Sequence, residues 1–350
     1  MSSSISSSDP WRRFFRLIAG AAAIAAGIVY AFVVLVDPFD TLPLSPPADR
    51  PPVASNQRFS YPSLARSPRF DSAIIGTSSS RLLRPEVLNP LFGARFVNLA
   101  MNDATVYEQS RLFGLFARTH PAPKVVMLGL DYRWCPTGPD YQRLTFRTFP
   151  EWMYRDNLWA GYLEMFNAYT VQSAGQMFGI MIGIKQPDQG RDGYTSFVPP
   201  DATYDSARAL VHLRGEGPYV PGGEREGAPS AWSYPAMGPL RAMLVSVPAA
   251  TRKVLFFIPY NHRMLTDPGS AGAVVWDECR RRVVAEAARV PNTQVLDFMR
   301  PSPITEADDN YWDGIHYRTG VADRLSRDMA GAGQGETSDD YIVLWSGVSR

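Results

Sequence analysis

The sequence predicts an α/β fold built on a parallel sheet of about five strands. Short, apolar, β-branched runs alternate with helical patterns, and each strand is followed by a loop and a helix. That order indicates right-handed βαβ units. The alternation stops for more than a hundred residues and then resumes, which indicates a large insertion. A long apolar stretch near the N-terminus adds one transmembrane helix.

The predicted strands and helices fall on both sides of the insertion. The strands lie at residues 73–75, 94–99, 124–130, 253–259 and 293–298, and the helices at residues 82–91, 105–118 and 273–289. The insertion, residues 135–250, is rich in Trp, Tyr, Pro and Gly, and it predicts a helical hairpin at 152–184 and a loop at 186–235. We expect the insertion to lie over the carboxyl edge of the sheet, where loops shape specificity.

The N-terminal region predicts a membrane anchor. Residues 1–10 are polar and Ser-rich, which favours a disordered cytoplasmic tail. Within the predicted anchor, residues 11–36, the stretch Leu17–Val36 has 20 residues without a charge, enough to cross the hydrocarbon layer. Arginines precede it and Asp37 follows, so the domain should face the periplasm of a bacterial inner membrane. Its bulky end favours an uncleaved anchor, the alternative being a cleaved, secreted domain.

Two segments flank the predicted domain, which covers residues 68–330. Residues 37–67 form a Pro-rich linker that holds the domain off the bilayer, although part of it could instead lie on the domain surface. Residues 331–350 form a C-terminal tail. Its apolar run, 341–345, either docks on the domain or binds a partner.

Composition excludes several classes of function. A formal net charge of +1 without a basic stripe gives no indication of nucleic-acid binding. Cys135 and Cys279 are the only cysteines, which excludes zinc–thiolate clusters. They are expected as two buried free thiols, or as one disulfide if the domain is exported. Asp308 and Asp309 lie in no metal-binding pattern, and we expect neither a metal nor a cofactor.

A strand-turn-helix segment carries the first candidate for chemistry. The buried strand at 73–75 ends at Gly76, and Thr77, Ser78, Ser79 and Ser80 follow at the carboxyl edge of the sheet. Open α/β sheets bind ligands at that edge, near free N–H groups of a helix start. The alternative is that these residues only form a turn and an N-cap.

The second candidate is a histidine close to the C-terminus. Of four histidines, only His316 follows a carboxylate at turn spacing, in Asp313-Gly-Ile-His316. In a turn, Asp313 can accept a hydrogen bond from Nδ1 of the imidazole, so that Nε2 faces outward as a base. A purely turn-stabilising bond is the alternative. Together with a serine, the pair has the parts of an activated nucleophile.

The order Ser, Asp, His resembles the SGNH, or GDSL-like, hydrolase superfamily. The resemblance rests on four blocks, at residues 76–78, 98–104, 128–131 and 313–316. It implies a three-layer, flavodoxin-like sandwich. It also implies that Ser78 is the nucleophile, His316 the general base and Asp313 its orienting partner, with Ser79 and Ser80 as alternatives.

The predicted oxyanion hole departs from the family pattern. In the family a glycine N–H and an asparagine side chain contribute, whereas Asp103 and Asp131 stand at or beside those positions here. A carboxylate cannot donate a hydrogen bond and opposes a developing oxyanion. Either Asn102, Arg81 or Arg133 supplies the donor, or Asp131 is protonated, or catalysis is weak.

These departures are similar to those of membrane-anchored SGNH-like proteins of bacterial polysaccharide O-acetylation. The resemblance implies transfer or removal of an acetyl ester on a cell-envelope or extracellular polysaccharide, beside a membrane-bound O-acyltransferase partner. The alternative is a catalytically silent SGNH-fold subunit that binds polysaccharide or scaffolds such a complex.

Overall fold

A six-stranded sheet forms the centre of the structure, a computed structural model that describes residues 8–139 and 142–348. The strands are β1 (Ser72–Ile75), β2 (Phe96–Asn98), β3 (Val125–Leu130), β4 (Arg252–Phe257), β5 (Thr293–Asp297) and β6 (Ile342–Ser346). The helices are α1 (Ser8–Val36), α2 (Gln57–Arg66), α3 (Pro85–Phe92), α4 (Val106–Thr119), α5 (Gly161–Glu164), α6 (Ala168–Met181), α7 (Ser206–Leu213), α8 (Met237–Val245), α9 (Ala271–Ala287) and α10 (Thr319–Ala332).

The sheet confirms the predicted α/β class. Its order is β2-β1-β3-β4-β5-β6, and the first five strands, all predicted, are parallel. The sixth strand was not predicted as part of the sheet. It pairs antiparallel with β5, placing Leu296 opposite Val343. The C-terminal run at 341–345 therefore docks on the domain as an edge strand.

Burial explains why the strands are so apolar. Every residue of β1 and β3 is buried, as expected for parallel strands covered on both faces. The helices beside the sheet fall into two contacting sets: α3 packs against α10, whereas α8 contacts both α4 and α9, and α2 contacts α4. Outside these sets, α1 packs against α6. The carboxyl ends of β1 and β3, which carry the candidate residues, are neighbours in the sheet because these strands pair directly.

The N-terminal helix α1 is long and apolar enough to cross a membrane. It is the single such helix in the part of the chain that the structure describes, and almost none of its apolar stretch is buried. By length and composition it is either a membrane span or a signal sequence. Residues 1–7 of the predicted tail lie outside the described residues, and residues 8–10 belong to the helix.

Packed structure begins well before residue 68. Helix α2 lies inside the predicted linker, and Tyr61 and Leu64 are part of the hydrophobic core. Arg58 is fully buried and pairs with Glu108 on α4 through two hydrogen bonds of 2.8 and 2.5 Å. Much of residues 37–67 thus lies on the domain instead of spanning a gap, because its apolar and charged side chains find partners there.

The insertion is covalently tied to the sheet domain. Cys135, at its start, forms a disulfide with Cys279 on α9, so the second of the two expected cysteine states is the one observed. The predicted hairpin at 152–184 contains α5 and α6. Helix α7 lies in the stretch predicted as loop, where its eight residues, capped by Asp205, were too short to give a clear helical period.

Candidate active site

The turn after β1 is shaped by two glycines. At Gly76 the backbone φ is 156°, and a Cβ there would lie 2.3 Å from the Oγ of Ser80. A Cβ on Gly129 of the neighbouring β3 would come within 2.0 Å of the same atom. Any larger residue at either position would displace the turn. The two glycines therefore allow Ser80 to pack between the strands.

Only one of the three consecutive serines contacts the histidine. Ser78 is partly exposed, and its Oγ lies 2.7 Å from Nε2 of His316. Ser79 is buried and donates to the carbonyl of Ile315 at 2.8 Å. Ser80 is fully buried, and its hydroxyl has no hydrogen-bond partner among the described residues. The geometry distinguishes Ser78 from its two neighbours.

The histidine is oriented by the predicted carboxylate. Nδ1 of His316 lies 2.7 Å from Oδ2 of Asp313, and Oδ1 of Asp313 accepts the backbone N–H groups of Ile315 and His316. Burial alone would raise the pKa of Asp313, but these hydrogen bonds and the imidazole outweigh it and hold the pKa below its usual value. An ionised carboxylate on Nδ1–H leaves the lone pair of Nε2 facing the serine hydroxyl.

The loop that carries His316 is anchored to the turn after β1. The hydroxyl of Tyr317 donates to the carbonyl of Ser79 at 2.6 Å, and Asn261 donates its N–H to the carbonyl of Gly314 at 2.9 Å. Together with the bond from Ser79 to Ile315, these contacts fix the two loops relative to each other. Such support limits the movement of the Ser78–His316 pair.

Asn98 supports the turn in a way that was not predicted from the sequence. It is buried at the end of β2, and its amide donates to the carbonyls of Ser80, Arg81 and Leu83 at 2.8–3.2 Å. The sequence feature that could have indicated this role is that Asn98 is the first residue of the second resemblance block, residues 98–104. The amide thereby ties together three carbonyls of the turn and of the start of the chain that leads to α3.

Two of the predicted donor candidates, Arg81 and Asn102, contact each other. Nη1 of Arg81 donates to Oδ1 of Asn102 at 2.5 Å, and the guanidinium lies over the ring of Phe197, 5.1 Å from its centre. Phe197 in turn packs edge-on against His316 at 5.0 Å. The amide nitrogen of Asn102 has no acceptor within the described residues, so it is free to donate. Phe197 comes from the insertion and was not predicted.

The other pair, Asp103 and Arg133, forms an ion pair. The Asp103 carboxylate accepts from the Arg133 guanidinium and from the hydroxyl of Tyr132, 2.8 Å away. The backbone of Asp103 is left-handed, with φ of 52°, a conformation that glycine, asparagine and aspartate tolerate best. In the described structure the backbone N–H groups of Asp103 and Ser78 donate to no protein acceptor. Arg133 thus neutralises Asp103, and the main chain offers two donors.

Asp131 is buried directly behind the turn after β1 that carries Ser78. One carboxylate oxygen accepts the hydroxyl of Thr77, the residue before Ser78, and the other accepts the N–H of Arg133 at 2.9 Å. Burial raises the pKa of Asp131 to about 6, against the lowering effect of these hydrogen bonds and of the Arg133 charge. The carboxyl is therefore neutral in mild acid and ionised above that pH.

This arrangement brings a serine hydroxyl, an imidazole and a carboxylate into one hydrogen-bonded chain, and the backbone N–H of Ser78 is without a protein acceptor in the described structure. Such a set can transfer an acyl group through a serine ester. No three His, Cys, Asp or Glu side chains in residues 8–139 and 142–348 come together as ligands for a metal ion. No protein-family model matches the sequence, and no curated protein matches it.

Proposed function

We propose that this protein is a membrane-anchored SGNH-type acyl transferase or esterase that acts on an ester, most simply acetyl, of a cell-envelope or extracellular polysaccharide. The observation that carries the proposal is the continuous hydrogen-bonded chain from Ser78 through His316 to Asp313, with 2.7 Å at each step. A hydroxyl needs a base of this kind before it can attack a carbonyl.

The proposed reaction proceeds in two halves. Oγ of Ser78 bonds to the carbonyl carbon of the donor ester while its proton moves to Nε2 of His316, and Asp313 stabilises the imidazolium. The tetrahedral intermediate collapses, the ester bond to the leaving oxygen breaks, and that oxygen takes the proton from His316. A sugar hydroxyl or water then attacks the acyl-serine and gives its proton to His316. The bond between the acyl carbon and Oγ of Ser78 breaks, and His316 returns the proton to Oγ.

The oxyanion would be held by the donors that remain near the serine. The free N–H groups of Ser78 and Asp103 and the amide of Asn102 are the available groups. An ionised Asp131 cannot donate to the oxyanion, because it carries no proton. Both of its oxygens already accept hydrogen bonds, from Thr77 and from the N–H of Arg133. We therefore expect a slow enzyme at neutral pH.

The sheet supports the family proposal. Its first five strands have the order 2-1-3-4-5, the doubly wound order in which ligands bind at the carboxyl edge beside β1 and β3. Ser78 follows β1 and Asp131 follows β3 at that edge. The two separate helix sets fit a three-layer sandwich of the flavodoxin-like kind.

The cellular location is proposed from α1 and the disulfide. If α1 spans the membrane, the arginines at positions 12, 13 and 16 keep the N-terminus in the cytoplasm. The Cys135–Cys279 disulfide suits an oxidising compartment such as the periplasm. Both features support a location of the domain at the cell envelope, where a membrane-bound O-acyltransferase would be its partner.

A polar cavity beside Arg81 supports a sugar-rich substrate. Its volume is about 340 Å³, and the buried Nε of Arg81 and Oε1 of Gln189 in its wall have no hydrogen-bond partner among the described residues. Amide side chains both donate and accept, as sugar hydroxyls do. The amides and hydroxyls of the wall belong to Ser55, Gln57, Tyr169, Gln172, Ser173, Gln176, Gln189 and Thr195.

The proposal is tested by labelling the full-length protein in detergent with a fluorophosphonate and by measuring aryl-acetate turnover. We expect labelling at Ser78 and its loss in Ser78→Ala. Ser80→Ala is the matched control, because the Ser80 hydroxyl is buried without a partner in the described structure. Absence of labelling in the wild type, or equal turnover in Ser78→Ala, would contradict an enzymatic role.

A second candidate function is favoured by Asp131. A buried carboxylate behind the nucleophile, where the resembled family has an asparagine, suits a silent subunit that binds polysaccharide or scaffolds an acyltransferase. Polymer acylation in cells separates the two functions. A Ser78→Ala strain that keeps full acylation, when a deletion strain has none, would establish the scaffold role.

A further inference from the structure

An exposed apolar surface lies on the insertion beside the last turns of α1. It is formed by the side chains of Trp159, Leu163, Phe166, Phe178, Ile182 and Ile184, which we call the hairpin surface. Leu163 is 87% exposed, Ile184 82% and Trp159 57%. Exposed apolar groups clustered in this way mark a surface that contacts another apolar phase.

The hairpin surface is continuous with the apolar helix α1. The ring of Phe166 packs against Tyr30 with 6.0 Å between centres, and the ring of Phe178 packs against Phe32 with 5.5 Å. The hydroxyl of Tyr30 also donates to the carbonyl of Tyr162 at 2.8 Å. The hairpin surface therefore adjoins the exposed apolar face of α1 near the C-terminal end of that helix.

The contacts on α1 give the depth of the hairpin surface. Tyr30 lies six residues before Val36, the last residue of α1, which corresponds to about 9 Å along a helix axis. Arg50 donates to the carbonyl of Val36 at 2.7 Å, so charged groups begin at the level of Val36. Interfacial helices bury their apolar faces about 5–10 Å into a bilayer. A spanning α1 would place the hairpin surface at that depth.

The charge pattern of the hairpin agrees with this depth. Residues 165–184 contain no charged side chain, and Glu164 and Lys185 stand at the two ends of that stretch. Trp159 stacks with Tyr162 at 5.8 Å, an aromatic pair of the type enriched at membrane interfaces. Lipid is a better occupant than a protein partner, because the adjoining face of α1 is itself apolar and exposed.

We propose that the hairpin surface is embedded in the domain-side leaflet of the bilayer next to α1. The domain then has two membrane contacts, a span and an interfacial hairpin, and its orientation relative to the membrane is fixed. This proposal depends on α1 spanning the bilayer and is independent of any enzymatic activity.

Depth-dependent fluorescence quenching tests the proposal in the full-length protein. Because Cys135 and Cys279 form a disulfide, a cysteine introduced at Leu163 or Ile182 is the single free thiol and can carry a polarity-sensitive fluorophore. The labelled proteins are reconstituted into phosphatidylcholine–phosphatidylglycerol vesicles with spin labels near the top of the acyl chains. Val211→Cys on α7 is the matched control, since Val211 is 68% exposed and apolar but is not part of the hairpin surface.

We expect blue-shifted emission and strong quenching at positions 163 and 182, and neither change at position 211. Equal emission and equal quenching at all three positions would overturn the proposal. A fluorophore at Ile28→Cys on the exposed face of α1 reports whether the helix itself is in the bilayer. Quenching at 28 without quenching at 163 and 182 would show a span without an embedded hairpin, which also overturns it.

Discussion

Asp131 is the residue that is expected to limit the rate of the proposed chemistry. Its carboxyl is buried, holds the hydroxyl of Thr77 and has a pKa raised to about 6 by burial. A raised acid pKa means that the folded protein binds a proton more readily than the unfolded chain between about pH 4 and 6. The charged form above that range costs folding free energy and also opposes an oxyanion beside Ser78.

We predict that Asp131→Asn raises aryl-acetate turnover. The substitution removes the negative charge and supplies an amide. A missing oxyanion donor lowers the rate about 10²–10³-fold, so we expect turnover to rise by roughly tenfold to a hundredfold at pH 7.5. The ratio of variant to wild-type turnover should increase as pH rises through about 6, where Asp131 ionises. Other titrating groups cancel in that ratio.

Asp309→Asn provides the matched control for this measurement, because Asp309 is an exposed acid in a loop before the Asp313 turn. Its ratio should stay flat across the same pH range. A ratio for Asp131→Asn that is also flat, or that lies below one, would show that the Asp131 charge does not act on the reacting group.

The candidate residues themselves could be proposed from the sequence because each stands in a local pattern, although Ser78 and His316 are 238 residues apart. Asp313 and His316 share one turn, and Ser78 follows a strand that ends at a glycine. Phe197 could not be found this way. Phe197 contacts His316 although the two residues are more than a hundred positions apart in the sequence. It lies in an irregular part of the insertion, so no local sequence pattern predicts the contact.

At the scale of elements, α2 shows what composition leaves open. Prolines and few apolar runs predict a linker, part of which could lie on the domain surface, and in the structure Arg58 of α2 forms a buried ion pair with Glu108. Glu108 also completes the capping box that begins α4 at Thr105. A buried charge pair depends on a distant partner, which a single sequence does not reveal. The parallel strands of the sheet could be predicted from the sequence, because each is a continuous apolar run.

We predict that Arg58→Met destabilises the domain by about 3–5 kcal/mol, because it leaves the Glu108 carboxylate buried without its partner. The double variant Arg58→Met/Glu108→Gln should recover most of the loss, since both charges are then absent. Urea unfolding of the detergent-solubilised full chain, followed by intrinsic fluorescence, measures the three free energies.

The control for Arg58→Met is Arg95→Met, which removes an arginine that is 64% exposed and pairs with Asp71 at the surface. That change should stay within about 0.5 kcal/mol. If Arg58→Met is equally mild, α2 does not contribute to the folded domain and residues 37–67 behave as the linker that composition predicts.

At the scale of the whole molecule, α1, residues 37–67 and the insertion are joined by contacts. Tyr162 accepts from Tyr30 through its carbonyl, and its hydroxyl accepts the N–H of Leu44. Composition predicts a spacer between membrane and domain, part of which could lie on the domain surface. The hydrogen bonds connect the last turns of α1 and residue Leu44 directly to the insertion. Such contacts join segments more than a hundred residues apart, which is why periodicity and composition could not predict them.

This connection predicts resistance to proteolysis between α1 and the sheet. In vesicles that carry the full chain, trypsin should leave the Arg58–Phe59 and Arg66–Ser67 bonds intact, because both lie on or at the end of α2 and Arg58 is fully buried. A flexible linker would be cut at these bonds and would release the domain. Mass spectrometry of new N-termini at Phe59 and Ser67 gives the readout, with urea-unfolded protein as the positive control. Rapid appearance of either terminus in the native sample would mean that the domain is tethered loosely. Residues 37–67 would then not hold the domain rigidly relative to α1.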